Sequence, residues 1–167
     1  MNAAHRALKL RRTADVDEFD RLAGEFLRAR EAEHNLMLAL CSGLRATMTT
    51  APLTRTSAAP PTLPPYFAVV TSGDSVVATA MRTPPHNAIL SAMSDERALD
   101  LIVDDLLAVA PDLTGVLGEK RRALRFAERW TKATMRSHPE DRRAHLPALV
   151  GDLAAARWRA DADGDTR

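Results

Sequence analysis

The sequence has almost no cysteine, almost no net charge, and no long uncharged apolar run. Cys41 is the only cysteine among 167 residues, which excludes an intrachain disulfide and a thiolate metal cluster. Lys and Arg number 23 against 22 for Asp and Glu, a formal net charge of +1. Acids and bases are mixed along the chain, so there is no whole-chain electrostatic case for nucleic acid or an anionic membrane as partner. No uncharged apolar segment approaches the ~20 residues needed to span a bilayer. The first residues, MNAAHRALKLRR, lack the apolar core of a secretory signal. A cytoplasmic protein is the expectation. With 46% apolar and 27% charged residues, the chain can build one domain with a substantial core, or one domain plus a tail.

Apolar periodicity organises what remains. Residues 7–11 (ALKLR) alternate weakly and read as a short strand. Val16, Phe19, Leu22, Ala23, Phe26 and Leu27 follow the three-and-four spacing of one buried helix face. Asp15 with Glu18 three residues later resembles a capping box. Met37, Leu40, Cys41 and Leu44 continue the pattern, with a possible break between Glu33 and Asn35. Residues 47–65 hold five prolines and no periodicity, which reads as a long loop of the kind used for lids or insertions.

YFAVVT (66–71) and VVATAM (76–81) flank the turn-forming Ser72-Gly73-Asp74-Ser75 and read as a hairpin. The corner TPPHN (83–87) leads into a third strand, NAILS (87–91). Ser94 is the expected N-cap of a helix burying Leu99, Ile102, Val103, Leu106 and Ala110, which Pro111 ends. TGVL (114–117) is a short strand. Residues 119–134 form a basic amphipathic helix burying Ala123, Phe126, Ala127 and Trp130. The expected division is a domain over residues 1–134 and a divergent tail over 135–167, with one short helix around 146–158 and a disordered end. This order is an α+β layout: helices flanking a mixed, mostly antiparallel sheet.

Few residues suggest chemistry. Glu31, Glu33 and His34 form the best acid–base cluster, although helical spacing puts Glu31 on a face with Asn35 and does not make the three converge. A helix-surface or interhelical hydrogen-bond role is the competing reading. His86 and Asn87 are held beside two prolines at a strand start, where they serve either as an active-site lip or as a structural corner. Cys41 sits in the apolar run LMLALCSGL, which favours a buried thiol over a nucleophile. His34 with His86 would supply only two metal ligands, so no metal site is expected.

Three phrases together carry a family resemblance: FLRAREAEHNLMLALCSGL (26–44), PPYFAVVTSGDSVVATAMRTPPHNAILS (64–91) and GVLGEKRRALRFAERW (115–130). They resemble, in this order, the N-terminal portion of a bacterial group of GNAT-superfamily N-acetyltransferases. The resemblance covers roughly residues 8–133. It implies a GNAT-like fold and acetyl transfer from acetyl-CoA to an amine acceptor that the sequence does not identify. It also implies a longer protein whose C-terminal half carries the acetyl-CoA machinery, and the 34 residues from Thr134 cannot supply such a half. The chain is therefore expected to be inactive or weakly active alone. The alternative is a non-catalytic GNAT-like module that binds a second copy of itself or a separate acetyltransferase half.

The cofactor loop is where the chain departs from that family. GNAT enzymes cradle the pyrophosphate with a Q/R-x-x-G-x-G/A loop after the fourth strand. Here that junction reads SAMSDE (91–96), with no glycine and with two carboxylates where phosphates would sit. At ~4 Å and an effective dielectric of ~20, each charge–charge repulsion would be about 4 kcal/mol. A substitute anion site is the alternative: the strand-to-helix turn Leu117 to Arg122, with Gly118 at the turn and three basic residues, Lys120, Arg121 and Arg122, in the first helical turn. Its competing reading is the solvated basic face of a helix.

Overall fold

The computed structural model describes residues 6–49, 63–137 and 148–151. Its elements are β1 (Leu8–Thr13), α1 (Val16–Arg28), α2 (Glu31–Thr49), β2 (Tyr66–Ser72), β3 (Ser75–Arg82), β4 (Ala88–Leu90), α3 (Ala98–Val109), β5 (Gly115–Gly118), α4 (Lys120–Ser137) and β6 (Ala148–Gly151). The six strands form one sheet in chain order, β1 through β6. β1 to β4 are antiparallel neighbours, whereas β4–β5 and β5–β6 are parallel. The result is an α+β architecture with a mixed sheet.

Both faces of the sheet are covered, which explains why YFAVV is apolar throughout rather than alternating. Phe67 and Val69 of β2 join Met81 and Ile89 beneath α1 and α2. Ala68 and Val70 point the other way and pack with Leu99, Ile102, Leu106, Phe126 and Trp130 of α3 and α4. Phe19 stacks on Phe67 with centroids 4.8 Å apart, and Phe126 on Trp130 at 5.5 Å. Small alanines at 68, 78, 80 and 88 let α3 and α4 approach the strands closely.

Local signals set most boundaries. Asp15 caps α1, its carboxylate accepting the N–H groups of Asp17 at 2.8 Å and Glu18 at 3.2 Å. Only half of the expected capping box forms. Glu18 turns to Arg11 and Thr13, and the N–H of Asp15 donates instead to the Thr13 hydroxyl. Gly73 supplies the left-handed φ of 62° that closes the β2–β3 hairpin. The first long helical stretch divides at Ala29–Arg30, earlier than the Glu33–Asn35 break read from the sequence.

Three expectations are corrected. α2 continues to Thr49, into the segment read as the start of the proline-rich loop; residues 50–62 of that loop lie outside the described residues. Ser94 does not cap a helix. Its N–H donates to the Val77 carbonyl at 2.9 Å, so residues 91–94 still follow β3 and α3 begins only at Ala98. Ala148–Gly151, read as part of a helix, is a strand pairing in parallel with Gly115–Gly118. A three-residue apolar run between Pro147 and Gly151 is too short for a helix and supplies β5 with a neighbour. The rest of the expected tail helix lies outside the described residues. α4 runs unbroken through residues 134 and 135.

Candidate functional site

The parallel pair β4–β5 sets up a concavity. Its register is Ala88 to Val116 and Ile89 to Leu117, and there the pairing stops. Beyond it the β4 chain is held by other partners. The N–H of Ser91 donates to the Thr79 carbonyl at 3.0 Å, while the Ser91 hydroxyl accepts the Thr79 N–H at 2.7 Å and donates to the Ala92 carbonyl. The N–H of Ala92 donates to Nε2 of His34 at 3.0 Å. Drawn away from β5 in this way, the chain leaves a cleft of about 370 Å³ beneath the start of α2. Leu36, Met37, Ile89, Leu90 and Leu117 make its floor, and Arg30, Glu33, Asn35, Glu119 and Arg122 its polar rim. A small-molecule site of this size with an apolar floor and few polar groups is of the ordinary kind.

His34 is the hinge pin of this arrangement. It is 1% exposed. Nδ1–H donates to the Leu27 carbonyl at 3.0 Å, Nε2 accepts from Ala92, and the ring stacks on Phe26 at 5.6 Å. A carbonyl on one nitrogen and an N–H on the other fix a single neutral tautomer. Both nitrogens are thus committed to backbone groups, so the ring has none left for proton transfer or for a metal.

The other candidates are dispersed. Glu33 lies on the cleft rim, 3.8 Å from Arg30 in an exposed pair. His86 and Asn87 lie at the opposite end of β4. His86 and Ala92 are six positions apart, which is about 20 Å of extended chain. The Pro84–Pro85 bond is cis, and the N–H of His86 donates to the Thr83 carbonyl, giving a tight turn. The His86 carbonyl accepts from Arg82, whose nearly buried guanidinium also reaches both oxygens of Asp112 at 3.3 Å. Asn87 accepts from the Thr114 hydroxyl. These contacts tie the strand corner to the α3–β5 connection. Gly118 lines the cleft, whereas Lys120 and Arg121 stand exposed outside it.

Both helix N-termini that could hold a phosphate are already satisfied. At α4, Glu119 is the cap: its carboxylate accepts the N–H groups of Arg121 at 2.9 Å and Arg122 at 3.3 Å. Those bonds, Arg121 first, hold its carboxyl below the usual range. At α3, the N–H groups of Ala98, Leu99 and Asp100 donate to the carbonyls of Asp95, Glu96 and Arg97. Asp95 binds the backbone and guanidinium of Arg97, and Glu96 pairs with Arg125. The bare repulsion expected from SAMSDE is thus softened by arginine partners. The stronger obstacle to a phosphate is that these donors are used.

Cys41 lies 2% exposed beneath α1, and burial pushes its thiol up to about 11. Among the described residues no group of three or more His, Cys, Asp or Glu could hold a metal, and no helix is long and apolar enough to cross a membrane.

The sequence contained a signal for His34 that its neighbours obscured. It stands three residues before Met37 and seven before Cys41, so the buried stripe of α2 includes it. The roles of Ala92 and Asn35 depend on the divergence of β4 from β5 and had no local signal, whereas Arg122 belongs to the basic turn read from the sequence. No protein-family model, curated protein or solved structure matches this chain.

Proposed function

We propose that the chain is a GNAT-like module in which the β4–β5 cleft serves as a small-molecule site while the acetyl-CoA phosphate cradle is closed. On this reading it has little or no N-acetyltransferase activity alone. The observation that carries the proposal is the parallel β4–β5 pair that ends at Ile89 and Leu117 and opens beneath α2. The element order, three antiparallel strand pairs followed by a helix, a parallel strand and a helix, supports the family likeness. Arguing against phosphate binding in the family's manner, the N–H groups opening α3 and α4 already have acceptors.

In chemical terms the cleft can bind and orient, and Glu33 is the one rim carboxylate not engaged in helix capping. A lone exposed carboxylate can accept a proton from an amine, but acyl transfer also needs a donor for the developing oxyanion. The test is a thiol-release assay with acetyl-CoA and a panel of primary amines. The expected result is no amine-dependent release of CoA. Release that rises with an amine and saturates would establish transferase activity and overturn the proposal.

A further inference from the structure

The charges around the cleft are not equally engaged. Glu119 is held by two backbone N–H groups at the start of α4, and a helix N-terminus carries about half a positive charge that offsets part of the carboxylate. Arg30 and Glu33 offset one another across 3.8 Å. Arg122 is half-buried, lines the cleft, and makes no ion pair through its guanidinium among the described residues. Glu119 also acts on Arg122 at longer range, but its carboxylate is committed to the α4 cap, so Arg122 is the rim charge with no direct ion-pair partner among the described residues. Beneath it the floor is apolar: Leu36, Met37, Ile89, Leu90 and Leu117.

An apolar floor ending at a guanidinium with no ion-pair partner among the described residues matches a ligand with an apolar body and one carboxylate. We propose that the cleft between β4 and β5 binds small amphiphilic carboxylates, the chain seated on Leu90 and Leu117 and the head group on Arg122. An ammonium head would have to take Glu33 from Arg30 and would face Arg122 as a like charge. An uncharged head would leave the guanidinium desolvated without a partner, which costs more than an exposed pair returns. Gly118 sets the depth. A Cβ there would stand 3.4 Å from the Leu90 Cβ, so each further carbon on residue 118 fills the gap between the strands. The inference rests on the geometry of the cleft and not on the GNAT likeness; it can fail or hold whichever way acetyl transfer is decided.

The experiment is a backbone-amide NMR titration of the full chain with hexanoate, hexylamine and hexanol at equal concentration and low salt. Hexanoate should bind saturably, shifting the amides of Leu36, Leu90, Leu117 and Arg122, with a Kd of ~1 mM, the scale set by eight non-hydrogen atoms. Hexylamine and hexanol should bind at least about tenfold more weakly. Arg122→Gln should weaken hexanoate by about tenfold, Gly118→Leu should abolish its shifts, and Arg121→Gln, outside the cleft, should change nothing. Equal binding of the three probes, retained affinity in Arg122→Gln, or no saturable hexanoate shift overturns the proposal. Unchanged spectral dispersion in each variant separates lost binding from lost folding.

Discussion

Replacing His34 tests most sharply whether this histidine is structural. In His34→Ala two buried backbone groups lose their partners: the Leu27 carbonyl and the Ala92 N–H, each now bonded at 3.0 Å. An orphaned buried polar group costs about 1–3 kcal/mol, and loss of the ring beside Phe26 adds a further ~1 kcal/mol or more through the cavity it leaves. The expected destabilisation is about 3–7 kcal/mol, a large share of the ~5–15 kcal/mol available to a domain. His34→Gln can replace one of the two bonds and should lose about half as much. Urea unfolding at neutral pH, followed by far-UV circular dichroism, reads both values. If His34→Ala unfolds within about 1 kcal/mol of the parent, the latch argument fails. Should the alanine variant not fold at all, the glutamine variant still decides: an unchanged midpoint refutes the reasoning.

Three further outcomes follow from the same contacts. Asp112 titrates below its ordinary 3.8, chiefly through its hydrogen bonds from Arg82. Its stabilisation is thus present above about pH 4 and is lost as pH falls through the lowered folded value. Asp112→Asn should cost about 1 kcal/mol at pH 7, modest because the carboxylate is well exposed, and should flatten the acid limb of the stability curve. Glu119→Ala removes the α4 cap and should cost about 1 kcal/mol in thermal or urea unfolding, again only where the carboxylate is ionised. Cys41 should resist a disulfide-exchange reagent at pH 8 in the folded protein and react fully in urea, because burial holds the thiol neutral. Rapid labelling of the native thiol would contradict its placement beneath α1.

The sequence revealed the elements whose signals are local. Asp15 and the stripe from Val16 to Leu27 define α1, Gly73 marks the hairpin, and Ala123 to Trp130 define the buried face of α4. Capping, turn chemistry and periodicity all act within a few residues, so they are visible in one dimension. The start of α3 was misplaced because tertiary pairing overrides propensity there. Ser94 has the chemistry of an N-cap, yet its N–H is taken by Val77 of the neighbouring strand. The strand at residues 148–151 was missed for a related reason, since only the open edge of β5 gives that short apolar run its conformation.

The candidate site was less legible still. Of the chemical candidates singled out from the sequence, Glu33 and the basic turn's Gly118 and Arg122 line the cleft, while Lys120 and Arg121 do not. His34 stands next to it but acts on the backbone, and His86 and Asn87 belong to the far end of β4. The cleft is created where two parallel strands part, between segments some thirty to ninety residues distant in sequence. No spacing rule reports on such a meeting. TPPHN looked chemical because histidine and asparagine followed two prolines. In the fold it closes a corner, with Arg82 and Thr114 as the partners that hold it.

The proposal stands or falls on whether the chain's own carboxylates and carbonyls leave the helix N-termini beside the β4–β5 cleft unable to hold a phosphate. Isothermal calorimetry with acetyl-CoA titrated into the full chain tests it directly. The account predicts no saturable heat up to about 1 mM cofactor, a free energy no better than ~4 kcal/mol. Stoichiometric binding with a Kd of about 10 µM or tighter, displaced by CoA, would contradict it.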